Sequence, residues 1–141
     1  MLSKILAPVD GSTNAFRAFE HALSLSKSTG AQLTAIHVIE SPPTVYVESQ
    51  KLLNELLANY RKESAKILDN CKAMAEKSGV QIETVIAEGD AASSITGYAQ
   101  KGGFDLIIVG SRGLGRFKEI VLGSTSSKVL HYAKCPVMIV N

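Results

Sequence analysis

The sequence predicts one doubly wound α/β domain, a parallel sheet of five strands in the order 3-2-1-4-5 with helices on both faces. Three observations predict it. Short β-branched runs alternate with longer stretches of helical periodicity, the signature of βαβ units. Two of those runs, Leu106–Val109 and Val137–Val140, are apolar throughout, as strands covered on both faces are. With 141 residues, the chain is also long enough to bury one continuous core without metals or disulfides.

The elements follow in order. Ile5–Val9 reads as the first strand, and Ala15, Phe16, Phe19, Ala22 and Leu23 then share one helical stripe that Gly30 stops. Leu33–Ile39 is the second strand. Residues 40–48, Glu-Ser-Pro-Pro-Thr-Val-Tyr-Val-Glu, are too long and proline-rich for a tight turn and are expected to form a surface loop. The longest helix should run from about Ser49 to Ser78, because Leu53, Leu56, Leu57, Tyr60, Ile67, Leu68, Cys71 and Met74 recur at three and four; Gly79 ends it. Ile82–Ala87 is the third strand. Asp90 is placed to cap a third helix carrying Ile95, Tyr98 and Ala99, closed by Gly102-Gly103. After the fourth strand, Leu106–Val109, a last helix begins near Ser124 and stops before Pro136, ahead of the fifth strand.

Composition narrows the function classes. With 45% apolar and 20% charged residues the chain is that of an ordinary globular protein, and it shows no repeat, so residues 1–141 are read as one domain. Fifteen basic against thirteen acidic residues leave a net charge of +2, too little for the basic face that nucleic acid requires. No run approaches a membrane span, and Pro8 and Asp10 interrupt any signal-like segment, so a cytoplasmic protein is expected. Cys71 and Cys135 lack Cys-x-x-Cys spacing and are expected to serve as small apolar residues.

Right-handed crossovers place the reversal of winding between strands one and four, with a crevice beyond their carboxyl ends. Topology therefore brings Pro8-Val9-Asp10-Gly11 towards Gly110-Ser-Arg-Gly113. Pro8 lacks the N–H of a central strand, so it marks either a departure from regular pairing or simply the end of the ladder. Asp10-Gly11-Ser12 likewise reads as a turn into the first helix, with Asp10 or Ser12 as its cap.

The segment Gly110–Ser127 combines three features suited to a phosphate chain. Glycines 110, 113, 115 and 123 allow close backbone approach; Gly123-Ser124-Thr125-Ser126-Ser127 opens a helix whose free amides and dipole favour an anion; Arg112, Arg116 and Lys118 add positive charge. A glycine-rich turn, an ordinary cap and surface cations would explain the same residues, and spacing alone leaves the two readings level. There is no Gly-x-x-x-x-Gly-Lys-Ser/Thr loop.

No catalytic residue is assigned. His21 and His131 fall in helical stretches and His37 on a strand, positions read as packing or surface, and Gly-x-Ser-x-Gly is absent. A phospho-acceptor receiver domain would need acidic residues clustered after strand one, where Asp10 stands alone.

Gly110-x2-Gly113-x9-Gly123-Ser124 is similar to the glycine pattern of the ATP-binding branch of the universal stress protein family. The resemblance covers nearly the whole chain: Lys4-Ile-Leu-Ala-Pro-Val-Asp-Gly-Ser12 looks like that family's opening strand, His37-Val38 the end of its second, Cys135-Pro-Val-Met-Ile-Val140 its closing one. It implies a Rossmann-like, adenine nucleotide alpha hydrolase-like fold. It also implies a nucleotide site in which Asp10 holds the ribose or helps organise the nucleotide, the backbones of Val9 and Val38 face adenine, and Gly110 and Gly113 line the ribose-phosphate path, with Pro8, Val109 and Arg112 also among the binding residues. Gly123, Ser124, Thr125 and Ser126 would receive the phosphates. The ligand implied is ATP, or AMP or ADP, with Mg2+ or Mn2+ as a bridging cation held by phosphate oxygens and water. Dimerisation through Val137–Val140 is implied too, and would cover an apolar edge; a short edge strand needing no partner is the alternative. The function implied is a nucleotide-dependent stress-response or signalling module read by protein partners, with at most weak ATPase activity.

Overall fold

Parallel pairing assembles β1 (Lys4–Pro8), β2 (Gln32–Ile39), β3 (Ile82–Glu88), β4 (Leu106–Gly110) and β5 (Val137–Val140) into one sheet of order β3-β2-β1-β4-β5. The computed structural model describes residues 2–40, 49–111 and 122–141. The loop expected over residues 40–48 falls, from 41 onward, outside the described residues. The strand order and the helices α1 (Thr13–Thr29), α2 (Gln50–Ser78), α3 (Ala91–Lys101) and α4 (Ser124–Tyr132) agree with the sequence reading, with boundaries shifted by one or two residues.

Local chemistry accounts for the helix ends. Ser12, Ser49 and Asp90 each sit in extended backbone and accept an amide three residues on, at 3.1, 3.1 and 2.9 Å. Gly30 and Gly79, at φ 78° and 72°, close α1 and α2 in the left-handed conformation that other residues resist.

Strand alternation divides the core in two. Ile5 and Ala7 of β1, with Leu33 and Ala35 of β2, pack under α1 and α2 around Phe19, Leu23, Leu68 and Cys71. Leu6 and Ile36 face the other way, with Ile107, onto Ile95, Ala99 and Phe104 of the α3 side and Val129 of α4. The helices thus change face where the strand order reverses, as right-handed crossovers require. Burial pushes the Cys71 thiol up to about 12, and half-buried Cys135 is raised too, so both thiols stay protonated at neutral pH. Among the described residues, no helix is long and apolar enough to cross a membrane.

At the amino-terminal edge of the sheet, Asp105 joins β1 to β4. Its Oδ2 accepts the Ser3 hydroxyl at 2.7 Å and the amides of Ser3 and Lys4 at 2.8 Å each, while the Asp105 amide donates to the Lys4 carbonyl. Lys4 reaches the Gly102 carbonyl at 2.6 Å and lies over the Phe104 ring. The Ser3 hydroxyl, then the Ser3 and Lys4 amides, hold the Asp105 carboxyl below the usual aspartate range. A carboxyl depressed on folding contributes stability above its unfolded pKa and loses that contribution as pH falls through the folded one. Asp105→Ala should therefore lower the melting temperature at pH 7, and the gap to wild type should close as the scans are moved below pH 4, about where an unfolded aspartate titrates.

Candidate functional site

The reversal of the sheet opens between β1 and β4. Their register pairs Ile5 with Leu106 and Leu6 with Ile107, whereas β1 stays in register with β2 to Pro8 opposite Ile36, and β4 with β5 to Gly110 opposite Val140. In a parallel strand each residue turns its N–H and C=O to one neighbour, and successive residues alternate. The Val9 amide donates to Ile36 of β2 and the Lys4 carbonyl accepts from Asp105 beside β4, so even residues of β1 address β4. Pro8 therefore lacks its donor on the β4 side, where the pairing stops. It ends one ladder while remaining in the other.

The β1–β2 ladder stops one residue further on. The Val9 amide reaches the Ile36 carbonyl at 2.9 Å, and the next rung would be the Val38 amide to the Val9 carbonyl. That carbonyl is met instead by Nδ1 of His37 at 2.7 Å. Even residues of β2 address β1, so the Val38 N–H and C=O both point towards the parting of the strands and find no ladder partner among the described residues. Val9, only 3% exposed, has its amide and one carbonyl lone pair committed internally, which leaves Val38 as the more open backbone edge of the two.

Across the opening, α4 starts differently from the other helices. Its cap is Gly123, at φ −62° and ψ 160°, with no side-chain hydrogen bond. The first bond of the helix runs from the Ser127 amide to the Gly123 carbonyl at 3.0 Å, so the amides of Ser124, Thr125 and Ser126 precede it without an acceptor among the described residues. Ser124 is exposed and Thr125 half-buried. Ser126 is buried, and its hydroxyl lies 3.0 Å from the carbonyls of both Ser111 and Gly123, so it secures the turn. Ser111 holds this corner together: its amide donates to Val140 at 2.8 Å and its carbonyl accepts the Gly123 amide at 2.7 Å. The sequence reading passed over Ser111, since its role lies in the main chain.

The remaining residues sort by face. Pro8 and Val38, and Val109 by alternation from Ile107, lie on the α3 and α4 side that carries the Gly123 turn. Gly110 lies on the other side: a Cβ there would meet the Asn14 carbonyl carbon and oxygen at 2.9 Å and the Ala15 amide at 3.1 Å, so its missing side chain admits the first turn of α1. Asp10, after β1, accepts the Ser12 amide through Oδ1 at 2.9 Å, and Ser12, not Asp10, caps α1. Arg112 and Gly113, with Gly115, Arg116 and Lys118, lie outside the described residues. Among the described residues no cluster of three or more His, Cys, Asp or Glu side chains could hold a metal. Asp90, beyond β3, is held below the usual aspartate range by the Ser93 amide and hydroxyl and then by the charge of Lys128 on α4.

Comparison with known proteins gives one consistent family. The model of the universal stress protein family matches residues 1–141. The universal stress protein YxiE of Bacillus subtilis is 37% identical over 147 residues, covering 99% of each chain. The solved structure of universal stress protein UspA from Lactobacillus plantarum has a TM-score of 0.86 at 28% identity, covering 99% of this chain and 97% of that one. Two more distant structures share the fold at TM-score 0.71: one from Archaeoglobus fulgidus in complex with dAMP, 17% identical over 100% of this chain and 98% of that one, and one from Arabidopsis thaliana with AMP bound, 24% identical over 97% and 90%.

The Gly110 contact is testable without any ligand. The atoms that an alanine methyl would meet belong to the α1 backbone and cannot rotate away, so Gly110→Ala should cost about 1–3 kcal/mol, read as a lower urea midpoint at unchanged slope.

Proposed function

The chain belongs to the universal stress protein family, and on that premise we propose that it binds an adenine nucleotide, ATP in the first place, as a nucleotide-dependent stress-response or signalling module. The observation that carries this is the start of α4, where the amides of Ser124, Thr125 and Ser126 have no acceptor among the described residues and the cap lacks the side-chain bond that those of α1, α2 and α3 possess. An anion is the natural complement. The Val38 N–H and C=O, turned to one side, offer a donor and an acceptor to the edge of a base, and adenine presents the matching acceptor and donor. Asp10, with one carboxylate oxygen on Ser12, offers the other to a ribose hydroxyl. Support from outside the chain comes from the family members solved with AMP and with dAMP.

The phosphates would lie on the Gly123–Ser126 turn, with Arg112 and Gly113 completing the path as the glycine spacing suggests. A Mg2+ or Mn2+ ion bridging the phosphates would draw its ligands from phosphate oxygens and water. In this reading the protein resides in the cytoplasm and pairs with a second copy along β5, where Met138 is exposed. Protein partners then distinguish the occupied from the empty state.

The test separates binding from folding at one residue. Gly123 has the backbone angles of an ordinary cap, which aspartate adopts readily; the carboxylate of Gly123→Asp would take the α4 amides and repel phosphate. The variant should keep or slightly raise its melting temperature yet lose at least about tenfold in ATP affinity by calorimetry, the equivalent of one hydrogen bond or more. ATP should bind more tightly than GTP to the wild type. No adenine nucleotide in the denatured, as-purified protein by mass spectrometry, together with no calorimetric signal for ATP, would sink the proposal.

A further inference from the structure

Among the described residues, His37 is the polar side chain at the parting of β1 and β2 whose bond stands where the next rung of the sheet would be. We propose that it is a positioning residue for the nucleotide, one that never needs to touch the base: by capping the Val9 carbonyl it stops the β1–β2 ladder at Ile36 and leaves the Val38 amide for the ligand. The role rests on the nucleotide-binding reading above.

Four observations lead there. Nδ1 of His37 lies 2.7 Å from the Val9 carbonyl, across 28 positions of sequence, and His37 is half-buried while Val9 is almost wholly so. A carbonyl only accepts, so Nδ1 carries the hydrogen and the ring is held in that tautomer. By alternation with Leu33 and Ala35, the ring sits on the α1 and α2 face, whereas the Val38 side chain packs on the opposite face beside α4. The His37 latch therefore lies on one face of the sheet, while the Val38 N–H and C=O lie in its plane, turned towards β1. Finally, Val9 immediately precedes Asp10, so fixing the Val9 carbonyl also fixes the start of the turn in which Asp10 accepts the Ser12 amide.

In the absence of the imidazole, the donor that the register offers the Val9 carbonyl is the Val38 amide, the next rung after the run from Lys4–Gln32 to Pro8–Ile36. Zipping that rung would satisfy the carbonyl and remove the donor from the crevice. A merely structural histidine would stabilise the fold; this one decides where the sheet stops.

The geometry of the side chain provides its own controls. The amide nitrogen of asparagine occupies the place of Nδ1, that of glutamine the place of Nε2. His37→Asn should therefore retain ATP affinity within about threefold, whereas His37→Gln and His37→Leu should weaken it about tenfold, the scale of one lost hydrogen bond. Circular dichroism confirms that each variant is folded. In the ligand-free wild type, long-range 1H–15N spectra should show the Nδ1–H form at His37, a signal assigned by its loss in His37→Asn. A wild type that binds no adenine nucleotide overturns the binding reading and this role together. Binding that His37→Gln and His37→Leu leave within about twofold overturns the role of His37 alone, as does an Nε2–H tautomer in the ligand-free protein.

Discussion

Where a parallel sheet reverses its winding, its two central strands must part, and every main-chain group beside the parting loses the ladder that would have satisfied it. The rest of the candidate site depends on that constraint. β1 and β4 are in register at Ile5 and Leu6 only, while each keeps its outer neighbour for longer. Pro8 stands at the point of divergence with no donor to waste on the β4 side. Beyond it, the chain disposes of each exposed group in turn: the Val9 carbonyl to His37, the Ser111 carbonyl to Gly123 and Ser126, the Ser12 amide to Asp10. What is left over among the described residues is the backbone edge of Val38 and the first amides of α4.

Two glycines flank the opening for different physical reasons. Gly110 is small because the carbonyl of Asn14 leaves no room for a Cβ, a matter of packing a helix onto a strand. Gly123 occupies an ordinary extended conformation that serine or aspartate would adopt equally well, so its distinction is the absence of a capping side chain. Sequence spacing treats the two alike. The close approach of α1 at Gly110 and the cap geometry of Gly123 tell them apart.

The fold was largely legible in the sequence because its signals are local. The unbroken apolar run at Leu106–Val109 reports a strand covered on both sides, whereas the similar run at Val137–Val140 forms an edge strand with Met138 exposed; Gly30 and Gly79 report helix ends, and right-handed crossovers are satisfied by the order observed. The cap of α1 was left between Asp10 and Ser12, since both oxygens stand within reach of the same turn; the Ser12 hydroxyl takes the Ala15 amide because Asp10 is already on Ser12. His37 and Ser111 were not legible as parts of the site. Each acts through a main-chain group distant in sequence, Val9 for one and Val140 for the other, and such pairings leave no trace in periodicity or composition.

The corner at Ser111 also decides where ligand binding would be felt. A ligand on the α4 amides stabilises the states in which that helix start is formed, in proportion to its concentration over its dissociation constant. The start of α4 is tied through Gly123 and Ser126 to the Ser111 carbonyl, and the Ser111 amide is tied to Val140, the last residue of β5. Stabilisation entering at Ser124–Ser126 would thus be shared with β4 and with the edge strand β5. In the proposed reading, occupancy of the site would then bear on the order of β5, an edge strand open to a second chain.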